Sequence, residues 1–301
     1  MKTKIANLIV LILVSVVSVK SQETFSVYGT KLTYSLIEKW ISEYTKENPQ
    51  VHIKLIKNKN ESAKVNISII AHKPAKDEIN STQRIVYMAK YALLPVTCKN
   101  EILLKNIKKR GLNKEELEKL YFDDSKAEEN NEKSRFPVTV YAQDNQSCSA
   151  LTFANYFGYK SSDIKGKRIA GDEIFLLTAI KRDTSGITFN TLGNIYDKNT
   201  RKLNIDVSLL PLNLGKDAAS AFNNVDDALK LLEADRFETI PVENIGFIYN
   251  HNSYNIEIVK FLRWVLTNGN KFNHEYGYLN LDKDLLANQL EYLENSILSS
   301  K

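Results

Sequence analysis

The sequence predicts an α/β protein built as two lobes with a cleft between them. Strand-like segments alternate with helical segments along most of the chain, which is typical of α/β folds. After the first 21 residues, about 280 remain, which is more than one hydrophobic core usually holds. We therefore expect two cores and a groove where they meet.

The predicted strands are short apolar or alternating runs, such as the six residues from Val51 to Ile56. Turn residues or helical patterns separate one run from the next. The predicted strands cover residues 25–28, 51–56, 65–70, 91–96, 138–141, 174–180, 189–196 and 245–249.

The predicted helices are recognised by apolar spacing and by their ends. The helix over 33–47 carries an apolar stripe that includes Leu36 and Trp40, and Asn48-Pro49 ends it. Another helix begins at Asn113, where Glu116 completes a capping box. Two more helices are predicted, one ending at Gly158 and one over 225–235.

The C-terminal stretch 258–281 predicts an amphipathic helix followed by a short second helix. Apolar residues such as Phe261 and Leu262 recur at helical spacing. Gly269 and Gly277 stand where a left-handed residue ends each helix. An extended segment then leads to Leu281.

The first 21 residues predict a signal peptide. Two lysines precede an apolar run over 5–19, and the small residues Val19 and Ser21 suit cleavage before Gln22. An uncleaved membrane anchor is the alternative, but the run is shorter than the roughly 20 residues that span a bilayer. We expect an exported chain, periplasmic or otherwise outside the cytoplasm, that is soluble after cleavage.

The charge balance argues against a nucleic-acid partner. The chain has 41 basic and 36 acidic residues, and without Lys2, Lys4 and Lys20 the basic residues number 38. Both signs are interspersed, so no basic stripe is present for a phosphate backbone.

The residue order in 258–281 resembles the C-terminal segment of bacterial phosphate-binding proteins, the receptors of ABC-type phosphate transporters. The run from Phe261 to Trp264, the Asn-Gly pair ending at Gly269 and the Tyr-Gly-Tyr around Gly277 carry this resemblance. It implies a type II periplasmic-binding-protein fold with a central cleft and two crossover hinge segments.

The resemblance also implies how the chain divides. The first lobe would be discontinuous, formed by 22–93 with 245–301, and the second lobe would be 94–244. The hinges are expected near 91–96 and 244–250.

Three turns are candidate anion sites, because a helix N-terminus offers unpaired N–H groups and a favourable dipole. The first precedes the Trp40 helix and supplies Thr30, Lys31 and Leu32. In the phosphate-binding family this turn contacts the ligand, although Lys31 stands where that family commonly has Thr or Ser. A plain helix cap is the alternative.

The second turn resembles the family pattern Arg-x-Asp-x-Ser-Gly-Thr. Matched in order, its residues are Gln143, Asn145, Ser147, Cys148 and Ser149. The hydroxyl groups are retained, but the arginine, which would bind phosphate through two charge-assisted bonds, is replaced by glutamine. A capped helix start without a ligand role is the alternative.

The third turn contains Ser185 and Gly186 among nearby cations, and a solvated loop explains it equally well.

One position of the resemblance fails outright. The strand over 65–70 should be followed by an aspartate that accepts a proton from phosphate, but here Ala71, His72 and Lys73 follow. His72 or Lys73 would then attract a more ionised anion or face solvent.

Enzyme and metal sites find no support in the sequence. The four histidines are far apart and form no zinc-binding spacing, and no nucleophile elbow is present. We predict no enzyme activity, no catalytic residue, no metal ligand and no cofactor.

Cys98 and Cys148 are interpreted either as a disulfide pair or as two small buried side chains.

The sequence therefore predicts an exported solute-binding protein that resembles the phosphate receptor of an ABC transporter. It would capture phosphate or another small oxyanion between its lobes and deliver it to a membrane permease. The alternative is a degenerate binding-protein fold that serves as an interaction or structural module of the cell envelope without binding phosphate. The missing arginine and aspartate motivate this alternative.

Overall fold

The computed structural model describes residues 23–58, 65–98, 101–107, 111–122, 137–215, 218–252 and 255–298. The predicted signal peptide over 1–21 lies outside the described residues. The nine strands are β1 (Glu23–Tyr28), β2 (Val51–Ile56), β3 (Ile67–Ile70), β4 (Gln83–Cys98), β5 (Thr139–Gln143), β6 (Lys167–Ile169), β7 (Gly186–Thr191), β8 (Val207–Leu209) and β9 (Val242–Asn250) in the described part of the chain.

The α-helices of the described residues lie between these strands and at the C-terminal end. They are α1 (Tyr34–Glu47), α2 (Glu101–Ile107), α3 (Lys114–Tyr121), α4 (Cys148–Phe157), α5 (Ile174–Lys181), α6 (Leu192–Ile195), α7 (Ala218–Ala221), α8 (Val225–Ala234), α9 (Ile256–Trp264) and α10 (Lys283–Leu298). None of these helices combines the length and the hydrophobicity that crossing a lipid bilayer requires.

The strands form one curled sheet in the order β2-β1-β3-β9-β4-β7-β5-β6, with β8 on β4. The chain therefore has the predicted α/β type, with two parallel groups of strands joined through the antiparallel strands β9 and β4. β2, β1 and β3 are parallel to one another, and so are β7, β5 and β6. The parallel groups are the two lobes of the fold, and the cleft lies between them.

Strand β4 connects the two groups. Its first part, from Gln83 to Ala92, pairs with β9, and its second part, from Leu93 to Thr97, pairs with β7. Thus the crossing from one group to the other occurs within a single sixteen-residue strand. The residues that carry it, Tyr91 to Leu94, are fully buried.

The hydrophobic core supports the helices as the apolar spacing predicted. Leu36, Ile37, Trp40 and Tyr44 of α1 are buried against the sheet. The indole N–H of Trp40 donates to the carbonyl oxygen of Gly269, at 2.9 Å, and so fastens α1 to the C-terminal helices.

Gly269 does not have the predicted left-handed conformation. Its φ is −74°, and the helix continues through it with wider π-type turns and then 3₁₀ turns. A Cβ at this position would approach the Trp40 ring to 3.0 Å, so packing explains the glycine. Gly277 does adopt the predicted left-handed conformation, with φ of 77°.

Two strand predictions were wrong. Residues 174–180 belong to α5, and residues 192–195 form α6 after β7 ends at Thr191. Thr178 is the one polar residue in the run from Ile174 to Ile180, so the sequence does not distinguish a buried strand from a helix. In the structure Leu176, Leu177 and Ile180 face the core at helical spacing, while Phe175 stays half exposed.

Candidate functional site

The cleft lies at the carboxyl ends of the parallel strands. In open α/β sheets these ends leave a crevice where ligands bind. β1 leads into Gly29 and Thr30, β3 into Ala71, β5 into the turn before α4, and β6 into the loop before α5. The fold therefore brings turns from both lobes to one place.

The first wall is the turn from Gly29 to Thr33. Thr30 has an extended backbone, and the amide and hydroxyl of Thr33 both donate to its carbonyl oxygen, at 3.1 and 3.0 Å. A Cβ on Gly29 would lie 2.4 Å from Cβ of Ile69, so only glycine lets β1 pass this close to β3. The turn is fixed by these bonds, and Thr30 lies near Cys148 of the second wall.

The second wall is the start of α4. Ser147 is the N-cap, and its hydroxyl accepts the amide of Ala150 at 3.2 Å. The hydroxyl of Ser149 lies 3.5 Å from that of Ser147, and Ser149 is buried. α4 has ten residues, so its N-terminus presents a full helix dipole toward the cleft.

The side chains of Gln143 and Asn145 form hydrogen bonds within the second lobe. Gln143 is buried, and its amide nitrogen donates to the carbonyl oxygen of Gly171, at 3.1 Å. The oxygen of the Asn145 side chain accepts a bond from the guanidinium of Arg168, at 2.9 Å. Both side chains tie the α4 turn to the strand β6 and the loop after it.

Cys148 is where the two walls meet. Its Sγ lies 3.3 Å from Nδ1 of His72, and Thr30 and the backbone of Ala71 lie close enough to affect the pKa of the thiol. Nε2 of His72 lies 2.9 Å from a carboxylate oxygen of Glu78. Burial raises the pKa of the Cys148 thiol, and the interactions with Ala71 and Thr30 offset part of that rise.

The Cys148 side chain therefore fills space between the walls, at the position that the resemblance assigns to a glycine. His72 neither faces open solvent nor stands free, because it contacts both Cys148 and Glu78. Cys98 and Cys148 are both free thiols, so the disulfide interpretation is wrong for this structure.

Tyr91 is a site residue that the sequence analysis missed. It is fully buried on β4, and its hydroxyl donates to the carbonyl oxygen of Ala71, at 2.5 Å, and lies 2.9 Å from the hydroxyl of Thr152. Thr152 belongs to α4, so this network joins the end of β3 to the second wall. A tyrosine in an apolar strand gives no sequence signal for such a role.

A cavity of about 500 Å³ opens beside the meeting point of the walls. Lys31 and Leu32 line it on the first wall, and Glu173, Thr191 and Tyr278 line it on other sides. The hydroxyl of Tyr278 donates to the carbonyl oxygen of Leu32.

Another cavity of about 660 Å³ lies between α1, α9 and α10, away from the strand ends, and is therefore the weaker candidate.

Glu173 is the second residue that the sequence analysis missed. Only 6% of it is exposed, and its Oε2 has no hydrogen-bond partner among the described residues. Burial raises its pKa to about 7, although a hydrogen bond with Ser149 lowers it in part and the negative Asp172 raises it further. Because residues 174–180 were predicted as a strand, the position of Glu173 immediately before a helix was not recognised.

The third predicted turn lies elsewhere. Ser185 and Gly186 stand at the amino end of β7, where the hydroxyl of Ser185 bonds with Thr139 and Asp183. Thr191, at the carboxyl end, lines the cavity. Five residue steps separate the two ends, roughly 16 Å. The structure does not bring Ser185 and Gly186 together with Thr30 and Ser147.

A metal centre is not supported by the described residues. Among them no group of three or more His, Cys, Asp and Glu side chains is placed to hold a metal ion.

Comparisons with known proteins support the fold. No protein-family model matches the sequence, and no curated protein matches it significantly. An ABC-type phosphate transport receptor from Vibrio cholerae is similar in structure, with a TM-score of 0.59 and 12% identity over 86% of this chain and 100% of the receptor.

Two further solved structures are similar. One is assigned as a phosphate ABC transporter substrate-binding protein from Clostridium perfringens with bound phosphate (TM-score 0.62, 13% identity, 86% of this chain and 100% of that chain). The other is a sulfate-bound OxyR2 regulatory domain from Vibrio vulnificus (TM-score 0.50, 11% identity, 81% and 95%). At these identities the similarity shows a type II periplasmic-binding-protein fold, and the fold alone does not define a ligand.

Proposed function

We propose that this chain is an exported solute-binding protein that captures a small anionic solute in the cleft between its lobes. The observation that carries the proposal is the meeting of the two walls at Cys148, the first residue of α4, whose Sγ lies 3.3 Å from Nδ1 of His72 after β3 and near Thr30 after β1. Two strand-to-helix turns from different lobes thus face one another, as an anion held by N–H groups and hydroxyls requires.

Capture would proceed by closure of the two lobes about the strands β4 and β9. Closure expels water, and the lower local dielectric strengthens the hydrogen bonds to the solute. The receptor would then present its solute to an ABC permease. The similar solved structures include a phosphate transport receptor and a protein assigned as the substrate-binding protein of a phosphate transporter. The fold shared with them supports this proposal.

Phosphate itself would bind weakly. Gln143 stands in place of an arginine and already donates to Gly171. Losing one bidentate, charge-assisted pair costs a few kcal/mol, about two decades of affinity. Cys148 also fills part of the space that an oxyanion needs.

The alternative function is an envelope interaction module that retains the fold without binding phosphate. The Cys148 side chain between the walls is the observation that favours it. The alternative predicts that phosphate does not bind, whereas the first proposal predicts saturable binding of at least one small anion.

Calorimetric titration of the exported protein with phosphate, sulfate and organic acids tests the proposal. We expect saturable binding of at least one of these anions that weakens in a Ser149→Ala variant, because Ser149 is buried at the start of α4. Ser42→Ala, on the exposed side of α1, is the matched control and should bind as the wild type does. Failure of every anion to bind would favour the envelope module.

A further inference from the structure

The carboxylate of Glu173 has an unmet hydrogen bond inside the cleft. It is nearly inaccessible to solvent, it lines the 500 Å³ cavity, and its Oε2 has no partner within the described residues. A buried polar atom without a partner costs free energy, and native proteins rarely retain one without a reason. A solute that brings a hydrogen-bond donor to this oxygen would remove that cost.

The cavity lining also includes a positive charge that has no ion-pair partner among the described residues. Lys31 is exposed on the first wall and forms no ion pair with another described residue. The other cations that line the cavity are already paired. Lys198 bonds with Glu275 at 2.8 Å, and Arg201 bonds with Asp226 at 2.6 Å.

Negative charge is concentrated near Glu173. Asp172 precedes it in the same loop, lines the same cavity and forms no ion pair with a described residue. The other groups whose charge interacts with Glu173 are uncharged in their ordinary forms: Tyr91 on β4, Cys148 on α4 and Tyr278 in the C-terminal segment. No cation of the described part of the chain faces this carboxylate within hydrogen-bonding distance.

We propose that the cavity binds a small zwitterionic solute of the amino-acid type, whose ammonium group donates to Glu173 and whose carboxylate lies toward Lys31. The proposal rests on the proposed function, since it takes solute capture in this cleft as given and adds the second charge. A bare oxyanion would bring a like charge beside Asp172 and beside the ionised form of Glu173. In a zwitterion, the ammonium group complements Glu173 and the carboxylate complements Lys31.

The size of the cavity agrees with an organic solute. Ligand sites for small organic molecules have volumes of about 300–1,000 Å³, and this cavity has about 500 Å³. An inorganic oxyanion would leave most of it empty. Leu32 and the rings of Tyr276 and Tyr278 add apolar surface for the rest of the solute.

Binding should be linked to proton release. In the free protein, burial raises the pKa of Glu173 to about 7, so the carboxyl group is partly protonated at neutral pH. An ammonium group favours the ionised form and lowers that pKa. We therefore expect affinity to fall as the pH drops below about 7, by about tenfold per pH unit.

Calorimetry of the exported protein tests the proposal. The probes are the standard amino acids tested singly, potassium phosphate as an anion without an ammonium group, and ethylammonium chloride as a cation without a carboxylate. We expect at least one amino acid to bind more tightly than phosphate and ethylammonium. Glu173→Gln should weaken that amino acid by about tenfold or more and abolish proton release, since a charge-assisted bond is lost.

Glu257→Gln is the control, because Glu257 is also buried but lies on α9 outside the cavity. Phosphate binding without amino-acid binding would overturn this inference and leave the proposed function standing. Amino-acid binding that is unchanged in Glu173→Gln would also overturn it. Failure of every probe to bind would overturn this inference, and failure of sulfate and organic acids as well would overturn the proposed function.

Discussion

The thiol of Cys148 lies 3.3 Å from Nδ1 of His72, at the place where the turns of the two lobes meet. His72 follows β3 and Cys148 begins α4, so this contact spans the cleft. The contact is possible because a cysteine stands where the resemblance assigns a glycine. The side chain of Cys148 therefore determines how much space an anion has at this place.

Replacing Cys148 by glycine should therefore increase phosphate affinity. Without the side chain, the amides at the start of α4 and the hydroxyl of Thr30 become available to an oxyanion. We expect a gain of about tenfold, about 1.4 kcal/mol, measured by calorimetric titration. Cys98→Gly, which changes the other half-buried thiol, is the control. Equal phosphate affinity in the wild type and Cys148→Gly would contradict the interpretation of Cys148.

Glu173 should make stability depend on pH. Its pKa is raised by burial from 4.5 to about 7, so the folded state binds more protons than the unfolded state between these values. The free energy of unfolding therefore falls as the pH rises through this window, by about 3 kcal/mol in all.

Urea unfolding at pH 5 and pH 8 measures this effect. Glu173→Gln should remove most of the pH-dependent difference, whereas Glu291→Gln, an exposed substitution on α10, should leave it unchanged. The same pH dependence in the wild type and Glu173→Gln would show that Glu173 is not the titrating group.

Tyr91→Phe should destabilise the protein without changing its shape. The substitution removes a buried hydroxyl that donates to Ala71 and contacts Thr152. The Ala71 carbonyl keeps the bond that the Thr152 hydroxyl donates at 3.2 Å, so the loss is that of one buried hydrogen bond, about 1 kcal/mol. A double-mutant cycle with Thr152→Val, followed by chemical denaturation, should give a coupling energy of at least about 0.5 kcal/mol. Strict additivity of the two substitutions would contradict the network.

Gly277→Ala should destabilise the protein more than Gly158→Ala. Both glycines have positive φ, 77° and 83°. A Cβ on Gly277 would lie 2.4 Å from the amide nitrogen of Gly193, whereas a Cβ on Gly158 would meet open space. Gly158→Ala should cost about 1–2 kcal/mol from backbone strain alone, and Gly277→Ala should cost more. Thermal unfolding of the two variants gives the comparison, and equal losses would contradict it.

The sequence predicted most of the fold because local signals were strong. Asn113 and Glu116 form the predicted capping box, and the apolar stripe of α1 is buried as expected. The wrong strand over 174–180 has a clear cause. Thr178 is the one polar residue between Ile174 and Ile180, and no period distinguishes a helix from a strand there.

The site was predicted only in part. Thr30 and Cys148 do meet, since both turns follow the carboxyl ends of parallel strands. Ser185 does not join them, because it precedes its strand rather than follows it. Glu173 could not be found from the sequence, because its importance comes from burial and an unmet hydrogen bond, which only the packed structure determines.

The most direct test of solute capture in this cleft is a titration followed by backbone amide chemical shifts of the exported protein. Phosphate and the amino acids are the titrants. We predict that the amides of Thr30, Lys31, Ser149 and Glu173 shift together with one saturation curve, while that of Ser185 stays still. Shifts confined to the cavity beside Trp264, or no saturable shifts with any titrant, would contradict the account.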